Sequence, residues 1–251
     1  MGLVVQGNVV HVDHDNKEWL KTTPHGNPTT EVVEGLTVYC LFKRLLASRK
    51  SRRKHRNKIP GDNCPIIYAL KGKDNLTTNI SSVKKLRESY GKIVNVFQSI
   101  EPNGFDLVIS MPSSHNISRI IGKRLSNTFT AQHSFDFLRK LTIEEAFSVL
   151  DKADISVEEH KTLSHRLRKQ LGEKGFQGDF SLKGIPVQFR SEFPPLSLHI
   201  TSNINFDPQR ILLVDDLLAT GTTLKTAHDI VQSRFPNAEI HGASLISSST
   251  K

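Results

Sequence analysis

Residues Arg210 to Thr223, reading Arg-Ile-Leu-Leu-Val-Asp-Asp-Leu-Leu-Ala-Thr-Gly-Thr-Thr, restrict the possible folds more than any other stretch of this chain. The apolar run Ile211–Val214 predicts a buried parallel strand. Asp215 and Asp216 follow at its end, then a short Thr/Gly-rich loop, then a helical pattern from Leu224 to Val231. A strand, a hydroxyl-rich loop and a helix N-terminus together make an anion cradle. Backbone N–H groups point at a phosphate, the helix dipole favours its charge, and threonine hydroxyls add donors. The two acids lie away from that phosphate and suit vicinal hydroxyls, or a metal bridging to a second charged group. Phosphate, hydroxyls and metal in a row describe a ribose 5-phosphate.

The motif Val214-Asp215-Asp216-Leu217-Leu218-Ala219-Thr220-Gly221-Thr222-Thr223 resembles the PRPP-binding motif of type I phosphoribosyltransferases, closest in wording to the adenine enzymes. The resemblance implies an α/β fold with a doubly wound parallel sheet and, in this chain, an inserted helical segment. It implies that Asp215 and Asp216 hold the ribose hydroxyls and serve Mg²⁺, and that Ala219, Thr220, Gly221, Thr222 and Thr223 wrap the 5′-phosphate. The bland alternative is a core strand ending in a solvated Asp-Asp turn, which two acids, a glycine and three threonines in this order argue against. Some members of this fold bind PRPP or nucleotides only to regulate.

The loop Ser110-Met111-Pro112-Ser113-Ser114-His115-Asn116 lies between a second apolar strand and an amphipathic helix. In the resembling family the corresponding loop binds pyrophosphate, which implies that role for Ser113 and Ser114, with charge from Arg119. Plain N-capping is the alternative for the two serines. The loop lacks the Arg-Gly-Phe signature of the adenine enzymes. A weaker resemblance, to competence-type phosphoribosyltransferase-like proteins, rests on Ile66-Ile67-Tyr68-Ala69-Leu70-Lys71 and the loop proline. A mobile loop of the family also brings a basic residue to the leaving group. Arg139 and Lys140 are the candidates, beside the plainer reading of surface charge before a helix.

The net charge of +9 and pI near 9.6 exceed what a small-substrate enzyme needs. Much of the charge is local: nine of the sixteen residues Lys43–Lys58 are Lys or Arg. Arg49, Lys50, Arg52, Arg53, Lys54 and Arg56 are candidates to grip an RNA or DNA backbone, since cations near phosphates release condensed counterions. A solvated loop is the competing reading, and the run has no aromatic residue for base stacking. Arg166, Arg168, Lys169 and Lys174 read as a helix face and its exit.

The expected organisation is an N-terminal extension over 1–64 carrying the basic segment 43–58, then a phosphoribosyltransferase-like core over 65–251 with an insertion at 134–203. Residues 3–12 predict a strand away from the main sheet, 31–48 a helix, 65–70 a short apolar segment, and 78–97 a helix broken near Gly91. Strands are expected at 105–112, 128–132, 187–190 and 240–246, and a helix from 117 to 125. Thr142–Glu145 and Ser156–Glu159 are capping boxes that open helices running to about Lys152 and Gln170. The cluster His11-Val12-Asp13-His14-Asp15 reads as a polar turn rather than a metal site, because a strand cannot aim adjacent residues at one ion. Trp19 reads as a partly buried surface anchor. Cys40 and Cys64 lack metal-type spacing and read as reduced thiols in a cytoplasmic setting. No apolar run approaches membrane-spanning length, and the first residues do not read as a signal peptide.

Two functions follow as expectations. One is a transferase that uses PRPP and Mg²⁺ to pass a phosphoribosyl group to a base or related acceptor. The other is a PRPP- or nucleotide-binding regulator or effector working with RNA or DNA. Either is expected as a homo-oligomer or in a larger complex.

Overall fold

Ile211, Leu212, Leu213 and Val214 are fully buried because both faces of their strand are covered. The computed structural model describes residues 2–47, 60–182, 184–190, 192–199 and 204–248, an α/β arrangement with mixed sheets. The chain opens with the hairpin β1 (Gly2–Gln6) and β2 (Val9–Asp13), followed by a second hairpin, β3 (Thr29–Val33) and β4 (Leu36–Phe42). Then come α1 (Pro65–Leu70), the short β5 (Thr77–Thr78), α2 (Ile80–Ile100), β6 (Leu107–Ser110), α3 (Ile117–Phe129) and β7 (Gln132–Ser134). An inserted segment carries β8 (Leu138–Lys140), α4 (Ile143–Leu150), α5 (Val157–Lys174) and β9 (Leu196–Leu198). The motif strand β10 (Arg210–Leu217), α6 (Thr222–Arg234) and β11 (Glu239–Ile246) complete the described elements.

The main sheet has the order β3-β4-β11-β10-β6-β7. Every pair from β4 to β7 is parallel, and β3 joins β4 antiparallel. Alternate side chains feed two cores. Leu212 and Val214 of β10 pack with Ile121 and Leu125 of α3, while Ile211 and Leu213 pack with Leu224, Ala227 and Val231 of α6. Helices therefore cover opposite faces, which is why the strands read as unbroken apolar runs. The small sheet β1-β2-β5 joins the α3-side core through Leu3, Val10 and Val12. The insertion builds its own core from Ile143, Ala146, Leu150, Leu163, Leu167, Phe180 and Phe193. Both expected capping boxes form, each with the hydroxyl accepting from the third helical N–H and the glutamate reaching back.

Several local expectations are corrected. Residues 31–48 begin with strand rather than helix: Glu34 and Gly35 take φ of 48° and 88°, the left-handed pair that closes a two-residue hairpin. The β-branched residues Thr29, Thr30, Val32, Val33, Thr37 and Val38 suit the resulting strands. This hairpin lies within the segment expected as an extension, and β4 pairs with β11 inside the main sheet. Helix α2 passes through Gly91 unbroken, held by buried Tyr90, Ile93, Val94 and Phe97. Helix α3 continues to Phe129, and Thr130 ends it at φ 56°, so β7 starts only at Gln132. The strand expected after Pro186 is a 3-10 turn, Val187–Phe189. Trp19 is a core residue, 3% exposed, rather than a surface anchor. Of the His-rich stretch, His11 lies 3.0 Å from the Asn79 amide and His14 3.0 Å from the Thr22 hydroxyl. No described helix is long and apolar enough to cross a membrane.

Candidate functional site

Strand β6 runs through α3 to β7 on one side, and β10 runs through α6 to β11 on the other. The two connections diverge between adjacent strands, and that opens a crevice at their carboxyl ends. A cleft of about 740 Å³ lies there. Its lining includes the loop Met111–Ser114, Lys71, Lys73, Lys140, Lys174, Asp215, Asp216 and Thr223. Three parts of the chain read separately in the sequence thus meet in one cavity.

The acid pair sits within the last residues of β10 rather than beyond it, with Asp215 in register with Ser244. The Asp215 carboxylate accepts the backbone N–H of Asp216 at 2.7 Å. Burial, and then the neighbouring Asp216 charge, push the Asp215 carboxyl up to about 7. The hydrogen bond from the Asp216 N–H and the Lys71 charge act the other way. Asp216 has a direct counter-ion: the Lys71 ammonium lies 2.8 Å from Oδ1 and 2.7 Å from Oδ2. Their side chains are 14% and 7% exposed, so the pair is largely out of water. Lys71 stands immediately after the last residue of α1, whose buried Ile66 and Ile67 anchor it to the α3-side core.

Of the loop residues 219–223, Thr223 lines this cleft and Thr222 lines a neighbouring cavity beside α6. Thr220 and Thr222 place their hydroxyl oxygens 3.0 Å apart. Gly221 is the N-cap of α6 at φ 82°, and no side chain caps that helix. The first-turn amides of α6 therefore lack the side-chain acceptor that usually meets them. A Cβ at Gly221 would stand 2.2 Å from Val33 Cγ1, so a glycine is required both by conformation and by the approach of the β3 hairpin.

The second loop is tied to the motif strand by the Met111 N–H, which donates to the Val214 carbonyl at 2.8 Å. Ser113 and Ser114 are exposed on the cleft and do not cap α3; the N-cap position is Asn116. Gly122 lets α3 press against the end of β6, since a Cβ there would lie 2.1 Å from Ser110 Oγ. That hydroxyl also lies 2.8 Å from His133 Nε2. His115 is held below its ordinary value by burial, then by Lys73 and Lys71 and, more weakly, by Lys140. Cations from two separate segments thus act on this loop.

Other expected site residues lie elsewhere. Arg119 stacks its guanidinium 3.7 Å from the Phe135 ring centroid and is absent from the cleft lining. Arg139 gives both terminal nitrogens to Glu145, at 2.7 and 2.5 Å, which commits it to the first capping box. Its neighbour Lys140 does reach the cleft and pairs with Asp179 at 3.1 Å. Arg49, Lys50, Arg52, Arg53, Lys54 and Arg56 fall outside the described residues. Sequence reasoning missed Lys71 and Lys73, and took Lys174 only for a helix exit. The one available signal was the apolar segment ending in Leu70, followed by Lys71-Gly72-Lys73.

The donor set fits Mg²⁺, which needs only one or two carboxylates when substrate phosphates and water complete its shell. Asp215, whose carboxyl is raised first by desolvation and then by the Asp216 charge, is a group whose charged form a divalent cation would favour. Among the described residues no cluster of three or more His, Cys, Asp or Glu forms an all-protein metal cage. Compared with protein-family models and with curated proteins, the sequence matches none.

Proposed function

We propose that this chain is a phosphoribosyltransferase-like protein of doubly wound α/β type that binds PRPP with Mg²⁺ and transfers its phosphoribosyl group to a base or related acceptor. The observation that carries the reading is the meeting of Ser113–Ser114, Asp215–Asp216 and Thr223 in one cleft, at the point where the crossovers diverge. Neutral small molecules would gain little from a cavity lined by Lys71, Lys73, Lys140 and Lys174. A polyanion gains from the lysines, and a divalent cation would bridge it to the acid pair.

The residues divide the work by position. Amides of Gly221, Thr222 and Thr223, with the loop hydroxyls, receive the 5′-phosphate. Asp215 and Asp216 orient the ribose hydroxyls and would hold Mg²⁺, supplying position more than proton transfer. The loop Pro112–Ser114 and the cleft lysines receive the pyrophosphate as charge builds on its departing oxygen. When bound, Mg²⁺ neutralises part of that charge. The insertion contributes Lys140, Lys174 and the apolar Phe180 and Leu196 to the cleft wall, where an acceptor would lie.

Calorimetry with PRPP and Mg²⁺ on the wild-type chain and on Asp215→Asn/Asp216→Asn tests the site. Binding to the first and none to the second is expected, and equal heats refute it. Pyrophosphate release with a panel of bases separates a transferase from a protein that only binds.

A further inference from the structure

We propose that Lys71 is the exchangeable counter-ion of the acid pair, an internal cation that guards Asp216 and passes to the pyrophosphate when a divalent ion arrives. This rests on the phosphoribosyl reading of the cleft. One ammonium meets both oxygens of one carboxylate, at 2.8 and 2.7 Å, which is where a metal chelated by Asp216 would sit. The pair is largely buried, so neither charge is tolerated alone. Lysine suits an exchange. Its charge is a point on a flexible stem, and it can swing between acceptors without the fixed fork of arginine.

The surroundings give the ammonium a second place to go. Lys71 follows the last residue of α1 and lines the same cleft as Ser113 and Ser114. It also acts electrostatically on His115, in the loop assigned to pyrophosphate, along with Lys73 and Lys140. A divalent cation taking Asp216 would leave Lys71 beside those groups with its charge unpaired. A departing pyrophosphate would then complete the exchange. Lys71 acts here as a positioning residue that sets the order in which cation and polyanion bind.

The test is isothermal titration calorimetry on the full chain with three probes: MgCl₂ alone, pyrophosphate alone, and the two together. Lys71→Met should bind Mg²⁺ about tenfold more tightly and pyrophosphate alone about tenfold more weakly, because the Asp216 charge is then left uncompensated. Asp216→Asn should do the reverse, losing Mg²⁺ and gaining about tenfold for pyrophosphate alone, because the ammonium is already free. A salt bridge that only supports the fold would not shift the two variants in opposite directions. Variants that match wild type, or move together, overturn the exchange while leaving the phosphoribosyl reading standing. A wild-type chain that binds no Mg²⁺–pyrophosphate overturns both. Should Lys71→Met fail to fold by circular dichroism, Asp216→Asn decides alone, and unchanged metal-free pyrophosphate affinity then sinks the proposal.

Discussion

Gly221→Ala probes the geometry of the proposed phosphate loop more directly than any change to the acids. At φ 82° an alanine would hold the left-handed conformation, at a cost of about 1–2 kcal/mol. Its Cβ would also stand 2.2 Å from Val33 Cγ1 and 3.3 Å from Val33 Cβ. Rotating Val33 relieves only the first contact, so the hairpin or the loop must shift, at about 1–3 kcal/mol. Together the two terms predict roughly 2–5 kcal/mol, or a melting temperature lower by ~4–20 °C for a domain of this size. A shifted loop also misdirects the α6 amides, so PRPP binding should weaken in parallel. Val33→Ala separates the contributions, since it removes the 2.2 Å clash and leaves the dihedral cost with the milder 3.3 Å contact to Cβ. A double-mutant cycle over Gly221→Ala and Val33→Ala should give about 1–2 kcal/mol of favourable coupling. Scanning calorimetry of the four proteins supplies the numbers. Strict additivity, or a Gly221→Ala melting temperature within about 2 °C of wild type, would refute the close approach.

Glu145 supplies a pH test. The Arg139 guanidinium, against burial, holds its carboxyl down at about 2. A depressed folded value adds stability that is full above the unfolded value of ~4.3 and is lost as pH falls toward 2. The melting temperature of wild type should fall over that window, by a small amount because the pair is partly exposed. Glu145→Gln, which keeps an amide for the capping box, should show a flatter profile, and equal slopes would refute the assignment. Burial raises the Cys40 thiol to about 12 and the Cys64 thiol to about 11. A thiol reagent at pH 8 should find neither cysteine in the folded protein and both after denaturation; rapid reaction of the native chain would contradict their burial. Replacing Arg49, Arg52, Arg53 and Arg56 by alanine should abolish any salt-sensitive RNA or DNA retention in a filter assay. Wild-type protein that retains no nucleic acid at low salt would leave the metabolic reading alone.

What could be read from the sequence followed the range of the interactions. The run Ile211–Val214, the acids and the loop to Thr223 were legible because a strand buried on both faces writes a continuous apolar run. The boxes at Thr142 and Ser156 were legible because their chemistry closes within a few residues. The stretch 31–48 was misread because Val32, Leu36, Leu41 and Leu45 also fall near helical spacing. The Glu34-Gly35 turn and the β-branched residues around it carried the deciding signal. Lys71 was invisible as a site residue because its partner stands 145 positions away. Arg119 and Arg139 lie at the right places along the chain but point elsewhere, toward Phe135 and Glu145. Spacing fixes where a side chain starts, and packing decides where it ends.

The pairing of β4 with β11 has a consequence for biosynthesis. Arg44 donates its N–H to Ser247 Oγ across 203 residues, and Val38 lies in register with Gly242. A ribosome adding ~5–20 residues per second would deliver β4 roughly 10–40 s before its neighbour. Throughout that interval β4 has β3 on one side and a row of unpaired amides and carbonyls on the other. Val38 and Cys40 on one face, and Tyr39 and Leu41 on the other, must wait for cover. The nascent chain therefore carries an open apolar edge until residues 239–246 are made and β11 inserts between β4 and β10. Chains arrested before that strand should be soluble only while a chaperone holds the edge.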